Sequence, residues 1–168
     1  SLAAGAEVFR AFVEVNPVDE ADEDASPFRL LQLPLSDIGR APPAIDAADY
    51  VSLSNVADGD IENRFTNTHF VYSTYNTWWA YWRPAADTDL DAELTFVPLD
   101  SPETPTRLKL HHNVIRLERA RAHIVATGYD DVHGLNLTMF DLREDLPRQG
   151  GSVKLVERYE SENRSHAF

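Results

Sequence analysis

The sequence predicts an all-β fold built from repeated antiparallel units, and three observations carry that expectation. Apolar residues fall in short alternating runs rich in β-branched and aromatic side chains, among them AEVFRAFVEV, FRLLQLPL, DYVSLS, HFVYSTY, ELTFVPL, NVIRLE, HIVATGY, LNLTMFDL and SVKLVERY. Strand side chains alternate between two faces, so such runs present one face or both to a core. Turn residues separate the runs at short intervals, and long helical periods are absent. Finally, short segments echo one another at a spacing near 54 residues.

The echoes define the unit. THFVYSTY (68–75) aligns with AHIVATGY (122–129), pairing His69 with His123, Val71 with Val125, Ser73 with Thr127 and Tyr75 with Tyr129. Ile61 meets Ile115 in the same register, and IENR (61–64) returns as SENR (161–164). LPLSD (33–37), VPLDS (97–101) and the looser MFDLRE (139–144) end their segments alike. A period near 50 residues with about four strands is that of a β-propeller blade, a four-stranded antiparallel meander. A chain of 168 residues holds about three blades and is expected to be a partial propeller, because four to eight close a ring. The approximate limits are 1–38, 39–101 and 102–145, with the start of another blade at 146–168. On this reading the chain is a fragment of a longer polypeptide.

Within the last period NVIRLERA, AHIVATGY, LNLTMFDL and SVKLVERY follow one another with short connections, as a meander requires. AHIVATGY and LNLTMFDL are its middle strands, and DDVHG is the hairpin between them with Gly134 at a positive φ. LNLTMFDL carries Leu135, Leu137 and Met139 on one face and Phe140 and Leu142 on the other, so both faces should be covered. The stretch 16–27, NPVDEADEDASP, holds five acidic residues and reads as a solvated acidic loop.

Composition limits the partners. Twenty-eight acidic residues against 15 basic ones give a formal charge of -13, which repels phosphate backbones and anionic lipid surfaces. Nucleic acid is therefore not an expected partner. No run approaches the roughly 20 apolar residues of a membrane-spanning helix, so no membrane span is expected. With no cysteine, thiolate metal sites and thiol nucleophiles are excluded.

VIRLERARAHIVATGYDDVHGLNLTMFDL, followed by a strand and RYESENRSHAF, resembles the blade sequences of bacterial secreted or envelope-associated β-propeller proteins. RFTNTHFVYSTY looks like the matching strand pair of an adjacent blade. The likeness covers about residues 60–168, and it implies a secreted, periplasmic or cell-envelope location. It brings no catalytic residues with it.

Several clusters invite a functional reading. NTWWAYWRP gathers Trp78, Trp79, Tyr81 and Trp82 beside Arg83, a candidate contact for a glycan or protein ligand if a ring is exposed; packing between blades is the plainer role. Asp87, Asp89, Asp91 and Glu93 alternate carboxylates as a calcium loop does, but Ala92 and Pro98 stand where an EF-hand needs glycine and glutamate. Asp58, Asp60, Glu62 and Asn63 form a comparable acidic turn. His111 and His112 are adjacent and point apart on a strand, which disfavours chelation of one ion. His69 and His123 occupy one repeat position and read as structural, with His166 a further candidate. Arg64 and Arg164 recur in the xENR echo, where an arginine can link blades through carboxylates or carbonyls. Glu160 and Glu162 offer a carboxylate pair for glycosidic chemistry if a cleft separates them suitably.

The expected function is a non-enzymatic propeller module for interaction or assembly, with no cofactor. It is completed by the remainder of a longer polypeptide or by another copy. The alternatives are a glycan-active or hydrolytic propeller with acidic residues at the channel mouth, and a calcium- or copper-dependent binding module. No GxSxG elbow, Walker loop, dinucleotide fingerprint or HExxH is present.

Overall fold

The computed structural model of the chain describes residues 7–15, 27–39, 45–53, 61–73, 92–130, 134–143 and 146–154. Among these residues the chain is all-β: three antiparallel sheets, two short 3-10 turns and no α-helix. No helix among them is long and apolar enough to cross a membrane. The chain divides into two compact units, Ser1–Ala57 and Asp58–Phe168.

The first unit holds β1 (Val8–Glu14), β2 (Phe28–Pro34) and β3 (Tyr50–Ser52) in the order β1-β2-β3. β1 and β2 pair along their full length, from Val8 opposite Pro34 to Glu14 opposite Phe28. Leu30, Leu31 and Leu33 of the central strand are buried. Phe12 stacks on Phe28 at 5.3 Å, and Arg10 donates to Gln32 across the strands.

The second unit holds two four-stranded meanders. One is β4 (Asn63–Phe65), β5 (His69–Ser73), β6 (Ala92–Pro98) and β7 (Thr106–Leu110); the other is β8 (Arg116–Ala120), β9 (His123–Asp130), β10 (Gly134–Asp141) and β11 (Arg148–Lys154). One core joins them. Val71, Leu94, Phe96 and Leu110 of the second sheet pack with Leu117, Ile124, Ala126 and Phe140 of the third, and the rings of Phe96 and Phe140 lie 5.3 Å apart.

Local chemistry sets the connections. The β8–β9 turn places Arg121 at φ 57, while Gly134 opens β10 at φ 71, a left-handed value that glycine adopts without cost. The pairing of β10 with β11 shifts register between Met139 and Phe140, and Gly150 is the extra residue of this bulge. At Gly128 the segment after β7 crosses so close that a Cβ would stand 1.6 Å from the Asn113 carbonyl oxygen.

The three sheets share one register. Val8 faces Pro34, His69 faces Pro98 and His123 faces Asp141; one step on, Phe9 faces Leu33, Phe70 faces Val97 and Ile124 faces Phe140. One residue past each of those central strands, or two past β10's Phe140, a backbone N–H reaches the same place. Leu35 donates to Glu7, Leu99 to Thr68 and Leu142 to Ala122, at 2.8, 2.8 and 2.9 Å. The echo of LPLSD and VPLDS in MFDLRE therefore enters register at Phe140 rather than Met139. The sheets also end later than the sequence limits near 38, 101 and 145. β3, β7 and β11 follow those limits and pair with the strands before them.

Equal register does not give equal burial. β5 is buried on both faces, with Phe70 and Tyr72 as well covered as Val71. Phe140 of β10 and Leu142 just past it are buried, but Leu135 and Leu137 are only half-buried and Met139 is 40% exposed. The expected covering of both β10 faces is thus met on one face only. Nothing in the alternation of apolar residues says whether a second sheet lies over a given side.

Candidate functional site

The seam between the second and third sheets is polar at its first strands. Arg64 of β4 donates from Nε to the Leu117 carbonyl at 2.9 Å, and its guanidinium lies 3.8 Å from Glu118. Arg116 pairs with Glu118 along β8, and Arg119 donates to the Asn67 side chain at 2.8 Å. Exposed ion pairs of this kind contribute about 0–1 kcal/mol each, so the seam sets register and orientation more than stability. Arg164, the other member of the xENR echo, lies outside the described residues.

His69 and His123 each open the second strand of their sheet, but their surroundings differ. His69 lies on the side that faces the third sheet, edge-on to Phe96, and is 4% exposed. Its Nδ1 bonds the Thr68 hydroxyl at 2.9 Å, while Nε2 is buried without a hydrogen-bond partner. His123 lies on the open side of the third sheet, with Nδ1 3.3 Å from the Ala120 carbonyl and Nε2 3.9 Å from Asp141. The two imidazoles do not share a hydrogen-bonding role. Hydrogen bonds from Arg143 hold the Asp141 carboxyl well below the usual carboxylate range.

Burial pulls the His69 pKa down, partly opposed by the charge of Asp100. Between the lowered folded value and the unfolded value near 6.5 the unfolded chain binds more protons, so stability is complete above that window and falls as pH drops through it. Chemical denaturation at a series of pH values should show this loss in the wild type and a flatter profile in His69→Gln. Equal slopes in the two proteins would contradict the assignment.

A buried polar chain lies on the core face of the third sheet. The Asn113 carbonyl can only accept, so His112 carries its proton on Nδ1 and donates it across 2.6 Å. His112 Nε2 then accepts from Thr138 Oγ1 at 2.8 Å, and Thr138 accepts in turn from Ser152 at 2.7 Å. Asn113 ties the crossing segment to β9 by accepting from the Tyr129 N–H at 2.7 Å. Both His112 nitrogens are thus committed to the fold, while its neighbour His111 is exposed. Replacement of Thr138 by valine keeps the shape and strands a buried imidazole nitrogen, an expected loss of about 1–3 kcal/mol in urea unfolding. A change within error would show that water replaces the hydroxyl.

The remaining candidates divide by position. Glu93 stands on β6 with Oε1 3.7 Å from Arg107 Nε, an ion pair across the sheet. Asp87, Asp89 and Asp91 lie outside the described residues, as do Trp78, Trp79, Trp82, Arg83, Asp58, Asp60, Glu160, Glu162 and His166. In the IENR segment the Glu62 carbonyl accepts from the Ser73 N–H, and the Asn63 side chain donates to Ile61. Among the described residues no group of three or more His, Asp or Glu side chains could hold a metal ion.

The sequence marked both faces of LNLTMFDL as apolar and led to the expectation that both are covered; one of them, the outward face of the third sheet, is open. Val125, Leu137 and Met139 lie there together, with Val153 opposite Leu137. Met139 is 40% and Val153 59% exposed. The signal was present in the alternation of LNLTMFDL, whose odd-numbered members share this side with Val153. This apolar patch shares its side of the sheet with the His123–Asp141 pair. Comparison with protein-family models, curated proteins and solved structures finds no match for this chain.

Proposed function

We propose that the chain is a segment of a β-propeller that acts as a non-enzymatic interaction and assembly module. The observation that carries this reading is the head-to-tail use of equivalent faces. Val71, Leu94 and Phe96 of the second sheet pack against the third sheet; their register equivalents Val125, Leu137 and Met139 face away from it. A sandwich related by a two-fold axis would bury the same face of both sheets. Blades arranged around an axis bury opposite faces of neighbours, as here, and a rigid platform for partners is a common use of such an array.

The seam formed by Arg64, Leu117 and Glu118 fits the same reading, since the first strands of successive blades meet nearest the axis. The secreted or envelope location rests on the resemblance of the blade sequences. An experimental structure of the assembled protein tests the proposal: sheets fanned around an axis with β4 and β8 innermost support it, and an isolated two-layer sandwich overturns it. A glycan array with Trp82→Ala as control then separates ligand classes. Binding that the substitution abolishes identifies a carbohydrate platform, while its absence leaves protein partners.

A further inference from the structure

We infer that His69 is an acid-sensitive latch on the seam between the second and third sheets: when its imidazole takes up a proton, the ring leaves the seam and the two sheets part, uncovering the apolar face centred on Phe96. The latch lies wholly within the second unit, so it holds or fails apart from the blade reading.

His69 is 4% exposed on the side of the second sheet that carries Val71 and Phe96, and its ring meets Phe96 edge-on at 6.5 Å. Phe96 in turn packs on Phe140 of the third sheet at 5.3 Å. A movement of the His69 ring is thereby passed to the pair of rings that joins the sheets. Nδ1 shares a hydrogen bond with the Thr68 hydroxyl, and Nε2 has no partner in either neutral tautomer. Protonation makes Nε2 a charged donor with nothing to receive it, and an unpaired buried charge is strongly unfavourable.

The charged groups along the seam do not relieve it. Arg119 of β8 donates to Asn67, two residues before His69, and Arg64 of β4 donates to the Leu117 carbonyl; both are cations. Glu118 is held by Arg64 and Arg116. Both nitrogens of His112, the other titratable group buried on the core face, are taken by Asn113 and Thr138.

A better place for the charged ring lies outside the seam. Asp100 is exposed two residues past β6, and its charge favours the protonated imidazole. The Leu99 N–H donates to the Thr68 carbonyl at 2.8 Å, which keeps this corner of the sheet beside the turn that leads into His69. A neutral ring packed on Phe96 and a charged ring drawn to Asp100 are two discrete states, as a histidine switch requires. His123 provides the contrast. In the same register its ring lies on the open side of the third sheet with Nε2 3.9 Å from Asp141, so protonation there disturbs no seam.

Hydroxyl-radical footprinting read by mass spectrometry, with far-UV circular dichroism alongside, tests this on the full chain between about pH 8 and about pH 5, where an ordinary histidine titrates. Wild-type labelling of Phe96 and Phe140 should rise as pH falls. One proton drives the opening, so the rise should reach up to about tenfold per pH unit between the lowered value of folded His69 and the ordinary one. The strand signal should stay constant. His69→Gln should keep both rings protected at every pH, while His123→Gln should behave as the wild type. If His69→Gln loses the strand signal at neutral pH, His69→Phe takes its place, since it fills the seam without titrating.

Labelling that does not change with pH overturns the inference, as does a rise that persists in the His69 variant or disappears in His123→Gln. Strand signal lost in step with the labelling also overturns it, because the seam would then open only with the whole fold. These outcomes leave the order of the sheets untouched, so the blade reading fails only on the experimental structure.

Discussion

Replacement of Phe140 by alanine should destabilise the chain by about 3–5 kcal/mol, the range for removing a large buried aromatic side chain. Phe140 is fully buried on β10, and its ring meets Phe96 of the facing sheet at 5.3 Å. The substitution removes apolar surface from both sheets at once and leaves a cavity at their contact. β strands paired on either side of β10 hold the backbone in place, so little collapse into that cavity is available. Urea denaturation followed by circular dichroism measures the change, with Leu146→Ala as the control. Leu146 is 64% exposed, and its truncation should cost less than about 0.5 kcal/mol, as for surface substitutions generally. Comparable losses at both positions would show that Phe96 and Phe140 do not centre the core.

Gly128→Ala should be at least as damaging, by a different route. The added methyl would meet the Asn113 carbonyl oxygen at 1.6 Å and the His112 Nδ1 at 2.7 Å. The carbonyl cannot retreat cheaply. Asn113 N–H donates to the Tyr129 carbonyl at 3.0 Å, and Ile115 N–H donates to Thr127 at 2.9 Å, so the crossing segment is pinned on both sides of the contact. Insertion of a methyl into a packed core costs about 1–3 kcal/mol, and a clash with pinned backbone belongs at or beyond the upper end. Because the hydrogen bond from His112 to Asn113 would also be displaced, the melting temperature should fall further than in Thr138→Val. A neutral Gly128→Ala variant would mean that residues 112–115 do not cross β9 this closely.

Much of this architecture was legible in particular residues. The alternation in HIVATGY and LNLTMFDL marks two strands, and Gly134 marks their turn; β9 and β10 form that hairpin, with Gly134 at φ 71. The echo that paired His69 with His123 and Val71 with Val125 corresponds to one sheet register. The likeness of LPLSD and VPLDS marked the ends of β2 and β6, while MFDLRE enters the same register one residue later than its alignment gave. Strand period and repeat register are properties of consecutive residues, which is why they can be read from the chain.

Surroundings were not legible in the same way. His111 and His112 are identical neighbours, yet one is exposed and the other is locked between Asn113 and Thr138. Val71 and Val125 are the same residue in the same register, but only Val71 is fully buried. Gly128 looks like an ordinary strand glycine until the crossing segment at Asn113 is placed beside it.

By itself, then, the sequence determined the strands, their antiparallel order within the last unit and the strong negative charge. These follow from side-chain alternation, turn chemistry and residue counts, which involve only near neighbours or sums. Tertiary structure alone decided which faces are covered, which histidine is buried, and that the second and third sheets meet through opposite members of equivalent faces. Those outcomes depend on side chains brought from another sheet, and a period of two places a residue on a face without specifying what lies across from it.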